Sequence, residues 1–274
     1  HSLKIRIATA ALLVLLFGSW LLTFYARREL TRDMERVLSE QQFSMASLLA
    51  DQVDTYLSSR LTQLQSVAHA AETAMRGGGA SMQAFIDERP LLQSFFNGGL
   101  VAVGRDGVVI AEHPESKQRR GVNYFDYPVV RAAFEARSAA IGSPRLGKHS
   151  GRPVVWVAAP ILGFDGEAIG VLAGIIDLSL PSPISHIMES RYGKRGGFVL
   201  VDVASRTIVT ATDKQRALES LPPVGTSPVI DRFLAGHEGS AIFVNPLGVE
   251  ILSSDIGVPS ADWVFAAFMP TEEA

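Results

Sequence analysis

Residues 7–26, IATAALLVLLFGSWLLTFYA, carry no charge and are bracketed by Lys4 and Arg6 on one side and Arg27 and Arg28 on the other. About 20 such residues cross the ~30 Å hydrocarbon core of a bilayer as one helix, the form that pairs every backbone amide without water. Trp20, Phe24 and Tyr25 gather toward the far end, where amphipathic rings favour the headgroup level. The competing reading is a secretory signal peptide, but its apolar core is shorter and ends at small residues, whereas this run ends at Phe24-Tyr25-Ala26-Arg27-Arg28. Residues 1–28 are therefore expected to form a membrane anchor. From Glu29 to Met75 there is no proline or glycine, and Leu30, Met34, Val37, Leu38, Met45, Leu48, Leu49, Val53, Leu57, Leu61, Leu64 and Val67 recur three or four apart. That spacing predicts a long connecting helix over 29–76, roughly 70 Å at 1.5 Å per residue. Its apolar stripe needs cover from the globular part behind it, from a second copy of itself, or from both. Arg76-Gly77-Gly78-Gly79 is expected to end it, since three glycines do not propagate a helix.

After a short helix at 81–88 the period changes to that of strands. LVAVGRDGVVIAEH (100–113) is two apolar runs around Arg105-Asp106-Gly107, a hairpin signal. A charged loop (115–122) and a short helix (128–137) follow, then strand-like runs near 139–143, 153–162 and 167–178, the last two meeting at Phe164-Asp165-Gly166. The order recurs. FVLVDVASRTIVTAT (198–212) turns at Ala204-Ser205-Arg206; a helix starts at Ser227, with Pro228 in the tolerated first position; SAIFVNP (240–246), VEILSSDI (249–256) and WVFAAFMP (263–270) complete the second copy. Two copies joined by an amphipathic segment at 183–192 predict two similar α+β domains in tandem, 77–182 and 183–274.

A net charge of −3 over 274 residues carries no signature of nucleic-acid binding. The absence of cysteine excludes disulfides, thiol chemistry and cysteine zinc sites, and leaves the redox compartment open. His69, His113, His149, His186 and His237 show no metalloenzyme spacing, no Gly-x-Ser-x-Gly elbow or Asp-x-Asp calcium loop occurs, and the glycine run lacks the context of a phosphate loop. No metal, cofactor or catalytic residue is expected. The charge is unevenly spread. Between Glu112 and Arg152, Lys117, Arg119, Arg120, Arg131, Arg137, Arg145, Lys148 and Arg152 face Glu112, Glu115, Asp126 and Glu135, which makes the segment +4 and leaves −7 elsewhere. Such a field favours an anionic ligand; the alternative is a solvated basic face. Around the apolar run, Arg27, Arg28, Arg32 and Arg36 outnumber Lys4 and Arg6, which on charge alone would put the globular part in the cytoplasm.

The runs GRPVVWVAAPI, DGEAIGVLAGIIDLS, RYGKRGGFVLVD, ATDKQRALESLPPVG and HEGSAIFVNPLGVEIL resemble the tandem Cache (dCache) extracytoplasmic sensor of bacterial membrane receptors, across almost the whole chain. The resemblance implies an α+β fold in which an N-terminal transmembrane helix continues into the long helix and two tandem PAS-like antiparallel-sheet domains follow, membrane-distal first. It implies an inner-membrane protein with a periplasmic globular part, against the flank count. The most similar members are sensor regions of diguanylate cyclases with a GGDEF output; histidine kinases and chemoreceptors share the sensor. In that family the ligand lies in the distal domain, where an arginine followed by two aromatics clasps a carboxylate and an aspartate holds an amine. Here the aspartate position falls on Asp177, the arginine position on Tyr127 and the aromatic pair on Val129 and Val130, so the amino-acid pattern is largely broken.

The ligand-binding candidates are accordingly Tyr124, Asp126, Tyr127, Arg131, Arg145, Lys148, Trp156 and Asp177. Each has an ordinary alternative. Asp177 ends an apolar run and either meets the ligand or satisfies the strand end; Trp156 floors a pocket or fills the core; Asp126 orients a ligand or caps the helix after it; Arg131, Arg145 and Lys148 meet an anion or solvent. The expected function is sensing of a small organic anion, with a homodimer formed through the long helix. A membrane-anchored envelope hydrolase is one alternative. The other is an interaction module whose pocket is filled by its own side chains.

Overall fold

The computed structural model describes residues 3–190 and 192–273, with the side chains of 3–15, 23–33, 35 and 116 left aside. A single helix, α1, runs from Leu3 to His69. The expected membrane span falls mostly on side chains outside the described set; among the described residues no helix is long and apolar enough to cross a membrane.

The buried face of α1 is Gln42, Ala46, Ala50, Val53, Leu57, Leu64 and Ala68, each with no exposed surface. These positions recur by three, four or seven residues, and the alanines among them let the helix lie close against two sheets. The stripe read from the sequence therefore divides. Val53, Leu57 and Leu64 are covered by the chain itself, while Met34, Val37 and Leu48 stay 53%, 52% and 60% exposed. The helix also ends earlier than expected. The amides of Ala70 and Ala71 bond back to Val67 and Ala68, three residues away, and a separate short helix, α2 (Glu72–Arg76), precedes the glycines. Helix α2 turns inward so that Ala74 is buried and Met75 reaches Gly170, where a Cβ would lie 2.4 Å from the Met75 methyl. Helices α3 (Gly79–Asp87) and α4 (Pro90–Phe95) lead to the first strand.

The first sheet comprises β1 (Gly99–Gly104), β2 (Val109–His113), β3 (Ala140–Ile141), β4 (Arg145–Leu146), β5 (Pro153–Leu162) and β6 (Ala168–Asp177). Its order is β2-β1-β6-β5-β3, with β4 also on β5, and every pairing is antiparallel. The second comprises β7 (Gly197–Asp202), β8 (Thr207–Ala211), β9 (Gly239–Val244), β10 (Glu250–Val258) and β11 (Trp263–Pro270), in the order β8-β7-β11-β10-β9. The repeated motif order in the sequence thus builds two sheets of the same topology. The connection between them is α6 (Pro183–Glu189), started by a reciprocal cap in which the Ser182 hydroxyl accepts from the Ser185 amide and the Ser185 hydroxyl from the Ser182 amide.

Alternation along the strands makes three layers. Leu100, Ala102, Val155, Val157 and Leu172 face α1, whereas Val101, Val103, Val154, Trp156 and Ala173 face α5 (Pro128–Ala136). In the second sheet Phe198, Leu200, Phe265 and Ala267 join the α1 core, and Val199, Val201 and Ile208 face α7 (Pro228–Leu234). One apolar cluster runs through α1 and the near faces of both sheets.

Candidate functional site

The space between the first sheet and α5 is where loop residues converge. The loop after β2 is anchored by Glu112, a buried carboxylate that accepts the amides of Arg119 (3.0 Å) and Arg120 (3.2 Å). Fixing that backbone sends the Arg119 side chain inward. Its Nη2 donates to the Gly98 carbonyl at 2.7 Å, and its buried Nη1 has no hydrogen-bond partner among the described residues. Glycine is required beside it: Gly99 has φ +99°, and a Cβ there would sit 2.3 Å from the His113 carbonyl oxygen and 3.1 Å from Arg119 Nη1. Burial draws the Arg119 pKa down from its ordinary value, and the negative charges of Glu112 and Asp177 oppose the shift.

Downstream, the same loop delivers Tyr124 and Tyr127, both nearly fully buried, against Trp156 of β5. Ring centroids lie 5.0 Å apart for Tyr124 and Tyr127, 4.7 Å for Tyr124 and Trp156, and 4.9 Å for Tyr127 and Trp156. The turn between β4 and β5 closes over them. Lys148 Nζ donates to the Asn123 carbonyl (2.8 Å) and to Asp126 Oδ1 (2.6 Å), and His149 Nδ1 lies 3.2 Å from the Tyr124 hydroxyl. The Arg145 guanidinium rests 3.8 Å from the Tyr127 ring centroid, with Lys148 Nζ 4.9 Å from that of Tyr124. Burial pushes the Tyr124 pKa up to about 12 and raises that of Tyr127, so both phenols remain neutral donors. The hydrogen bond from Lys148 holds the Asp126 carboxyl below its usual range.

The hollow enclosed by Arg119, Tyr124, Tyr127, Lys148, His149 and Trp156 holds only about 20 Å³, room for a water-sized guest. A wider one of about 460 Å³ opens beside Trp156, between Val129, Ile141, Ser143 and Arg145, with Ser205 of the β7–β8 turn at its edge. Cations and aromatic faces around a neutral hydroxyl pair suit an organic anion with a flat or apolar body.

Of the residues expected from the sequence, Tyr124, Tyr127, Arg145, Lys148 and Trp156 come together, with Asp126 held at the rim by Lys148. Asp126 is not a helix cap: Tyr127 occupies the N-cap position of α5, which has no side-chain cap, and Lys148, distant in sequence, takes the carboxylate. Arg131 stays outside, donating to the Phe125 carbonyl at 3.3 Å. Asp177 lies off the wall of the hollow at the end of β6, accepting the Ser179 amide (2.9 Å) and hydroxyl, with Arg152 Nη1 at 3.8 Å. The sequence did not single out Arg119 and His149. The only signal for Arg119 was membership of the basic segment, since what places it is the Gly98 carbonyl and the Glu112 carboxylate that holds its backbone amide, and His149 was named only among the histidines without metal spacing. Among the described residues no group of three or more metal-ligating side chains is assembled.

Two sheets of one topology laid along a single helix, the first with a basic, aromatic hollow under stitched loops, define a tandem mixed helix and antiparallel-sheet module. The Cache domain model (dCache_1) matches residues 26–274, and the chain belongs to the Cache domain family. Cache sensor domains of this type are extracytoplasmic parts of membrane receptors, and extracytoplasmic ligand sensing is the function that membership supports. Among solved structures, the ligand-binding domain of the Pseudomonas fluorescens chemoreceptor CtaA with L-serine is similar over 87% of this chain and 99% of its own (TM-score 0.68, 18% identity). That of the Pseudomonas aeruginosa PAO1 amino acid chemoreceptor PctB with L-Arg is similar over 86% and 96% (0.67, 21%). That of PctC from the same organism, with GABA, is similar over 85% and 99% (0.66, 16%). At these identities the likeness is one of fold. No curated protein matches the sequence.

Proposed function

We propose that this chain is the sensing part of a membrane-bound receptor and that its outer domain, 77–182, captures a small carboxylate beneath the loops at 119–127 and 146–150. The observation that carries this reading is the unpartnered Nη1 of buried Arg119. A buried guanidinium nitrogen without an acceptor costs about 1–3 kcal/mol, and a carboxylate entering the hollow supplies that acceptor. Entry requires the Tyr124, Tyr127 and Trp156 rings to yield, so binding draws on a second arrangement of the loop and couples occupancy to shape. The solved relatives named above hold L-serine, L-Arg and GABA, each of which carries a carboxylate. Calorimetry with a panel of mono- and dicarboxylates tests the reading. One or more should bind in the micromolar range, about −8 kcal/mol, and Lys148→Met should weaken that binding about tenfold; a panel without a binder refutes it.

The anchor at 1–28 is supported by Leu16, Phe17, Trp20, Leu21 and Leu22, apolar side chains that stay between 53% and 74% exposed. A homodimer along α1 is supported by the exposed Met34, Val37 and Leu48. For the output, the sequence resemblance favours a GGDEF diguanylate cyclase, and the solved chemoreceptor domains make a chemoreceptor the alternative. The sequence following residue 274 decides between them. A second reading of the outer domain has its own footing in the aromatic trio that fills the hollow: contact with another envelope protein and no small-molecule ligand. Cross-linking that captures a partner through the 119–127 loop, with an inert carboxylate panel, would favour it.

A further inference from the structure

The second sheet differs from the first in what fills the space under its helix. Where Tyr124, Tyr127 and Trp156 close the first hollow to about 20 Å³, the space between the second sheet and α7 keeps about 130 Å³. Its walls include Val201, Ile230, Phe233, Phe243, Val264 and Phe268. An apolar cavity of about 150 Å³ takes a benzene-sized guest. Four polar residues interrupt these walls: Arg216, Asn245, whose Oδ1 accepts the Leu247 and Val249 amides, and Ser253 and Asp255, neighbours on the inward face of β10. The Ser253 hydroxyl donates to Asp255 Oδ2 at 2.7 Å, and no cation lies within ion-pair distance of Asp255 among the described residues. Cationic side chains nearby are otherwise engaged. Arg216, at one edge of the cavity, pairs with Glu219 (2.8 Å), and Arg206 pairs with Asp231 of α7 (2.8 Å). Glu238 accepts the Gly257 amide, and His237 is exposed. A buried carboxylate without a cation opposes a strand's apolar pattern, and such exceptions mark sites.

We infer that this cavity is a second ligand site, taking a small apolar monoamine whose ammonium group pairs with the Asp255 carboxylate and whose hydrocarbon part fills the space under α7. Burial raises the Asp255 pKa to about 7, so the ammonium binds best once the carboxyl has ionised, and affinity rises with pH across that value. The inference is independent of the outer-domain carboxylate site, which lies on the other sheet.

Calorimetry on the full chain in detergent, with benzylamine as probe and benzyl alcohol and benzoate as comparators, tests it. Benzylamine should bind at least tenfold more tightly at pH 8 than at pH 5.5, and more tightly than either comparator at pH 8. Asp255→Asn should lose at least tenfold, Ser253→Ala less, and Ile230→Trp, which fills the cavity from α7, should abolish binding. The Ser253 and Ile230 variants keep the test decisive if Asp255→Asn folds poorly. No binding of benzylamine, tighter binding of benzoate, or full affinity in either Asp255→Asn or Ile230→Trp overturns the inference.

Discussion

Asp255 also makes a prediction about stability. Its pKa is raised in the fold because burial penalises the ionised form more than the Ser253 hydroxyl relieves it. A raised carboxyl pKa favours the fold at low pH, and that contribution is lost as pH climbs from about 4 toward 7; the displacement bounds it on the order of 4 kcal/mol. Asp255→Asn removes this dependence, so its stability relative to the parent should improve by about 2 kcal/mol between pH 5 and pH 8 in urea melts; a constant difference would show that Asp255 is solvated. Gly174 is a second point where one atom matters. A Cβ there would meet the buried Phe96 ring at 2.4 Å, so Gly174→Ala should cost about 1–3 kcal/mol by the same melts. At this scale the candidate site was half legible. Tyr124, Tyr127 and Trp156 stood out as aromatics on a loop and a strand, and Lys148 as part of a basic run. Arg119 was not distinguishable from its neighbour Arg120, because Glu112 accepts both backbone amides and what separates them is that the Arg119 guanidinium reaches the Gly98 carbonyl while that of Arg120 goes to Gln83. For Asp126 the local alternative, a cap on the next helix, failed for a related reason: Lys148, distant in sequence, took the carboxylate.

Strands and turns were more legible than the helix that carries them. The runs at 153–162 and 263–270 coincide with β5 and β11, because short continuous apolar runs bounded by turn residues are local signals. The break after His69 has no such signal: Ala70 and Ala71 are good helix formers, and it is the inward turn of Ala74 and Met75 onto the sheet that stops the helix. The facing of α1 is likewise a tertiary property, since leucines at 48 and 57 look alike in a stripe while only Leu57 meets the sheets. The two therefore separate in experiment. Leu57→Asp places a charge in the shared core and should unfold the protein or cost several kcal/mol. Leu48→Asp should leave the melt within about 0.5 kcal/mol and, if α1 pairs with a second copy, weaken self-association in sedimentation. Equal loss of stability in both variants would contradict the assigned buried face.

On the scale of the whole molecule, one helix is a core element of both sheets. Gln42 Nε2 reaches the carbonyls of Leu252 and Ala267 in the second sheet at 3.3 and 2.9 Å, and Asp54 accepts the Ser260 amide at 2.8 Å. Further along, Leu57 and Leu64 share their cluster with Val155, Val157 and Leu172 of the first sheet. Neither sheet can lose α1 without exposing apolar surface of the other, so the two should unfold together although their hydrogen-bonded ladders are separate. The chain carries natural reporters: Trp156 sits under α5 in the first sheet, and Trp263, whose Nε1 donates to Asp202 at 3.1 Å, closes the core of the second. With Trp20 and the other tryptophan replaced by phenylalanine in turn, the fluorescence transitions of Trp156 and Trp263 should coincide. A carboxylate bound in the outer domain at 100 times its Kd should then move both by about the same 2.7 kcal/mol. Two separated transitions, or a shift confined to Trp156, would mean that α1 does not couple the sheets, and a receptor signalling through that helix would need another route.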